Sequence, residues 1–106
     1  MEHLEVTAKE LIENVEKELQ TCEKGLREEL KLREIFEDVY SILQKETDNN
    51  KLFIGLEKFY QSVSLMIGLS HLEMTEEARL AWRAYDRFHF KEVKPQLRLY
   101  GWVVAL

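Results

Sequence analysis

Residues 4–43 read LEVTAKELIENVEKELQTCEKGLREELKLREIFEDVYSIL, and the spacing of the apolar positions in this stretch decides the fold class. They fall at Leu4, Ala8, Leu11, Val15, Leu19, Cys22, Leu26 and Leu30, in steps of 4, 3, 4, 4, 3, 4 and 4. That is one face of a helix. An eleven-residue period is about 3.67 residues per turn, close to a straight α-helix, so it predicts a nearly straight helix-to-helix seam. Leu32, Phe36, Val39 and Leu43 continue as a second stripe, widened by Ile35, Tyr40 and Ile42. The register of Cys22, Leu26 and Leu30 persists across Gly25, so one long first helix to about Lys45 is expected, although glycine in a helix costs about 1 kcal/mol relative to alanine.

Working outward, Thr47, Asp48, Asn49 and Asn50 form a polar turn able to cap a following helix. The next stripe is Leu52, Leu56, Phe59, Val63 and Met66, with Ile54, Leu65, Leu69 and Leu72 adding apolar surface on other sides. A helix apolar nearly all round needs cover all round, so a second chain is expected over it. Thr75 before Glu76 and Glu77 is an N-cap followed by acids at the positive end of a helix dipole. That third helix is expected to end near Val93, because Pro95 disfavours helical geometry at Lys94. At 1.5 Å per residue the three helices would be roughly 60, 35 and 25 Å long.

The expectation is therefore all-α: an antiparallel bundle of three helices, or four if the first breaks near Gly25, with a long coiled-coil-like first helix. The bundle would occupy residues 1–94. Residues 95–106, charged only at Arg98, form an apolar tail that fits a short strand or another helical turn and should dock on the bundle or on a partner.

Composition agrees with this class. The chain has 106 residues, 45% hydrophobic and 33% charged, with four glycines and one proline, which suits neither a disordered tail nor a turn-rich β sandwich. Cys22 is the single cysteine and can form no internal disulfide. Together with a charged N-terminus and an uncharged run, Phe59 to Leu72, too short to span a bilayer, this predicts an intracellular protein, cytoplasmic or nuclear, with no membrane anchor.

The net charge of −5 is unevenly distributed. Residues 1–50 hold fourteen acidic and seven basic side chains, net −7, and residues 51–106 hold six and eight, net +2. The sharpest feature of the second half is Arg79, Arg83, Arg87 and Lys91, spaced by four, with Lys94 and Arg98 beyond them. On a helix the first four make a basic ridge. Trp82, Tyr85, Phe88 and Phe90 interleave with it, a pattern suited to single-stranded nucleic acid or an acidic peptide. The plainer alternative puts those aromatics in the core and leaves the ridge solvated or paired with acids of the first helix such as Glu13, Glu16 and Glu23.

Catalytic and metal-binding signatures are missing from the sequence. The only histidine with a carboxylate three residues before it is His89, after Asp86, and a di-iron bundle needs two Glu-x-x-His pairs. There is no Cys-x-x-Cys or His-Glu-x-x-His for zinc, and Gly25, Gly55, Gly68 and Gly101 are isolated rather than part of a phosphate loop. His89 and Cys22 are expected to be structural. No cofactor or metal is expected and the protein is not expected to be an enzyme. The function expected is a protein–protein interaction or assembly subunit, a homo-oligomer or part of a larger assembly. It would self-associate through Leu11, Val15, Leu19, Cys22, Leu26, Leu30, Leu65, Leu69 and Leu72, with Arg79, Arg83, Arg87 and Lys91 as the partner-binding ridge. A small nucleic-acid-associated regulator using that ridge is the alternative.

Overall fold

The computed structural model describes residues 2–45, 49–69 and 72–99, which are helical apart from 21–25 and 72–75, with no strand among them. Four principal helices, α1 (Glu2–Gln20), α2 (Leu26–Lys45), α3 (Asn49–Leu69) and α4 (Glu76–Phe88), are followed by a π turn, His89–Val93, and a short α5 (Lys94–Leu99). They pack into a body of 38 × 26 × 22 Å. α1 lies chiefly on α4 and α2 on α3, while the π turn and α5 close over α3.

The long first helix does not form. The chain leaves α1 after Gln20, and the physical reason is a set of local bonds that satisfy carbonyls a broken helix would otherwise orphan. The Thr21 hydroxyl donates to the Glu18 carbonyl at 2.7 Å, and the Lys24 ammonium donates to the carbonyls of Leu19 and Cys22 at 2.8 and 2.9 Å. Gly25 then accepts the Glu29 N–H through its carbonyl at 3.0 Å and starts α2. The break splits the eleven-residue seam: Ala8, Val15, Leu19 and Cys22 are buried, joined by Ile12, whereas Leu26 and Leu30 face out. No single 60 Å rod exists, since the longest dimension of the molecule is 38 Å.

The stripe of α3 is placed as its spacing predicts, with Leu52, Leu56, Phe59, Val63 and Met66 all buried, and Phe53 beside them. Gly55 permits close approach of α2: a Cβ there would stand 2.6 Å from the Ile42 Cδ1. Gly68 meets nothing within 4 Å. Of the residues expected to need a second chain, Leu72 is buried and Ile54 half-buried within this chain, Leu65 stays exposed, and the side chain of Leu69 lies outside the described ones.

Thr75 is an N-cap: its hydroxyl oxygen accepts the Ala78 N–H at 3.1 Å, with Glu76 and Glu77 in the first turn. The predicted stop before Pro95 is overturned. Lys94 is helical, with φ −56° and ψ −45°, and the chain continues as α5. Pro95 falls in the first turn of α5, where its missing N–H matters least, and the wide π turn before it takes up the change of register. Leu97 of this segment is fully buried, so residues 95–99 belong to the packed body as helix, not strand. Residues 100–106 of the tail lie outside the described residues, as do Thr47 and Asp48 of the capping turn.

Candidate functional site

A buried polar cluster where α3 meets α4 and the π turn is the least expected feature of the core. α3 is otherwise apolar on its inner face, yet Glu57 sits there, one turn from Phe53 and Tyr60, at 0% exposure. His89, the first residue of the π turn, is also at 0% and its Nε2 meets Glu57 Oε1 directly. The second carboxylate oxygen of Glu57 accepts from Gln61 Nε2 at 2.7 Å, so both of its oxygens are used. A π turn adds one residue to the helical register, and such turns often place a side chain that a regular helix would misdirect.

The Tyr60 ring covers the imidazole, with centroids 3.8 Å apart and planes 6° from parallel, and Trp82 stacks on Tyr60 at 5.5 Å. Burial and the hydrogen bond to the Asp86 carboxylate push the Tyr60 phenol up to about 12. Tyr85, fully buried beneath, donates its hydroxyl to the Leu56 carbonyl at 3.2 Å, and burial raises its pKa far out of the physiological range. Two buried polar atoms stay without a protein partner, His89 Nδ1 and Asp86 Oδ1.

Burial lowers the His89 pKa, and Lys94 of α5 adds to the effect, while the hydrogen bond and charge of Glu57, with Asp86 behind, oppose it. Neutral imidazole donating from Nε2–H to Glu57 Oε1 is the state this direction favours. Since the folded pKa is below the unfolded value of about 6.5, the unfolded chain binds the extra proton first. Stability from this group is present above pH ~6.5 and declines as pH falls toward the folded pKa. Urea midpoints should therefore drop between about pH 7.5 and 5.5, and His89→Gln, which retains a donor for Glu57, should reduce that slope; identical slopes in the two proteins would contradict the assignment.

The two kinds of predicted site residue fare differently. Arg79, Arg83, Arg87 and Lys91 are all exposed, on one side of α4 and the π turn, and among the described residues none forms an ion pair with a carboxylate. Of the interleaved aromatics, Tyr85 and Phe88 are core, Trp82 is half-buried and Phe90 is 52% exposed, with the Lys94 ammonium 4.4 Å above its ring. Of the self-association set, Val15, Leu19, Cys22 and Leu72 are buried within the chain's own core and Leu11 packs against it. The four buried ones face inward in this fold, and Leu11 is half-buried. Leu26, Leu30 and Leu65 are 71%, 51% and 58% exposed, and the side chain of Leu69 lies outside the described ones.

Leu30 and Leu65 line one cleft between α2 and α3, bordered by Arg27, Glu28, Lys31 and Glu34. Leu26 adjoins Leu30 one turn away. Among the described residues no group of three or more His, Cys, Asp or Glu side chains is placed to hold a metal ion, and no helix is long and apolar enough to cross a membrane. Comparison with family models, curated proteins and solved structures finds no match.

Proposed function

We propose that this chain is a non-enzymatic assembly module that pairs with a second copy of itself through the α2–α3 face. The observation that carries the reading is the exposure of Leu30 and Leu65 on one cleft between α2 and α3, with Leu26 exposed one turn before Leu30 on α2. Singly exposed residues such as Val6 and Leu80 need no such account, because scattered apolar groups are normal on protein surfaces.

A second copy suits the patch because a two-fold interface must be complementary to itself. Its border holds two cations, Arg27 and Lys31, and two anions, Glu28 and Glu34, so a patch facing its own copy brings opposite charges together without excess of either sign. The α2 helices would then lie side by side, a coiled-coil-like contact confined to Leu26 and Leu30. A non-catalytic role is supported by the buried Glu57–His89 pair, whose two side chains are closed to solvent and so to any substrate.

The test is solution mass by light scattering after size exclusion at two concentrations. A dimer is expected at tens of micromolar, and Leu30→Glu with Leu65→Glu should convert it to a helical monomer, since burying four carboxylates in a dimer interface without partners is prohibitive. A wild-type protein that stays monomeric would sink the proposal.

A further inference from the structure

α4 presents a row of cations that the fold itself leaves unused. Arg79, Arg83 and Arg87 are exposed at four-residue intervals, Lys91 continues the row on the π turn, and none is paired with a carboxylate among the described residues. The opposite side of α4 is anchored through Ala78, Ala81, Tyr85 and Phe88, so the row is held on a rigid element. Asp86, on the same helix, is half-buried with its Oδ1 closed to solvent, and among the described residues no ion pair joins it to the ridge.

We infer that this ridge docks an acidic helical segment of a partner protein. Four residues of helix rise about 6 Å, so carboxylates at every fourth position of a partner helix repeat at the same interval as the ridge and can meet it one to one. Arginine favours carboxylates through paired hydrogen bonds. Phe90, exposed beside Lys91, supplies an apolar contact at the end of the row.

A polynucleotide fits this surface less well. Binding a single strand calls for rings on which successive bases stack, but Tyr85 and Phe88 point into the core and Trp82 is stacked on Tyr60, so of these four rings Phe90 alone is exposed. The chain also carries −5 overall, which repels a long polyanion more than a helix with a few carboxylates.

The experiment is fluorescence anisotropy with a labelled alanine-based peptide carrying glutamate at every fourth residue, and separately with a labelled oligothymidylate, at low and at physiological salt. The peptide should bind at low salt and weaken severalfold at about 0.15 M, as screened charges require. Arg83→Glu with Arg87→Glu should lower its affinity at least tenfold while leaving helicity and solution mass unchanged, which separates this inference from pairing through α2 and α3. Absence of peptide binding at low salt, equal binding by the variant, or tighter binding of the oligothymidylate would each overturn it.

Discussion

Glu57→Ala is expected to lower the unfolding free energy by about 1–3 kcal/mol, the usual cost of leaving a buried donor, here the Nε2–H of the neutral His89, without its acceptor. His89 Nδ1 is already without a partner, so losing the carboxylate leaves both ring nitrogens of a fully buried imidazole unsatisfied under the Tyr60 ring. Gln61 loses its acceptor as well. Glu57→Gln retains an oxygen for one of the two donors and should lose much less. Replacing both members by apolar residues, Glu57→Leu with His89→Phe, should recover most of the loss, because the desolvation of the pair disappears with the pair. Urea unfolding followed by circular dichroism distinguishes the three. A loss under about 1 kcal/mol for Glu57→Ala would mean that water reaches the imidazole, and that the pair is not the closed contact described above.

This sensitivity is large against a total stability of about 5–15 kcal/mol for a domain of ordinary size. The pair ties α3 to the start of the π turn, and Leu97 and Val93 follow it into the core. Loosening His89 would therefore reach the segment that closes over α3, rather than one side chain alone.

Much of the helical pattern was legible in the residues because it depended on local chemistry. Thr75 with Glu76 and Glu77 capped α4 as their types require, and the α3 stripe from Leu52 to Met66 faced the core at the expected spacing. A break near Gly25 was the open alternative, and the structure takes it, with α1 ending at Gln20 and α2 starting at Leu26; continuity was preferred because Cys22, Leu26 and Leu30 keep helical spacing across it. What ends α1 is the Lys24 side chain folding back onto two carbonyls, a contact that periodicity does not encode. At Pro95 the residue rule was sound for an α-helix and failed because a π turn intervenes.

The candidate site shows the same division. The ridge of Arg79, Arg83, Arg87 and Lys91 was readable because exposure follows from its spacing opposite Ala78, Ala81 and Tyr85. His89 was weighed only against Asp86, three residues before it, while its true partner lies 32 residues away on α3. The one available signal was Glu57 itself, a carboxylate one turn from Phe53 and Tyr60 in a helix apolar nearly all round. A charge in such a position is either exposed or paired, and only packing decides which. The leucines of the first seam divided for the same reason: once α1 and α2 separate, Val15 and Leu19 join the core and Leu26 and Leu30 do not.

Tyr85 provides the complementary large effect. Its ring meets Phe59 edge-on at 5.1 Å and Trp82 at 5.7 Å, and it is fully buried, so Tyr85→Ala should cost about 3–5 kcal/mol through lost contacts and a residual cavity. Tyr85→Phe preserves the ring and removes only the donor to the Leu56 carbonyl, which as a carbonyl within α3 retains its helical bond; about 1 kcal/mol is expected. Because the raised phenol pKa keeps Tyr85 neutral, neither variant should alter how stability changes between about pH 7.5 and 5.5, in contrast to His89→Gln. Thermal and urea unfolding of the two Tyr85 variants at both pH values make the comparison. Equal losses for phenylalanine and alanine would place most of the residue's contribution in its hydroxyl, and the aromatic cluster around Phe59 would then be filler around a polar contact rather than the source of the packing energy.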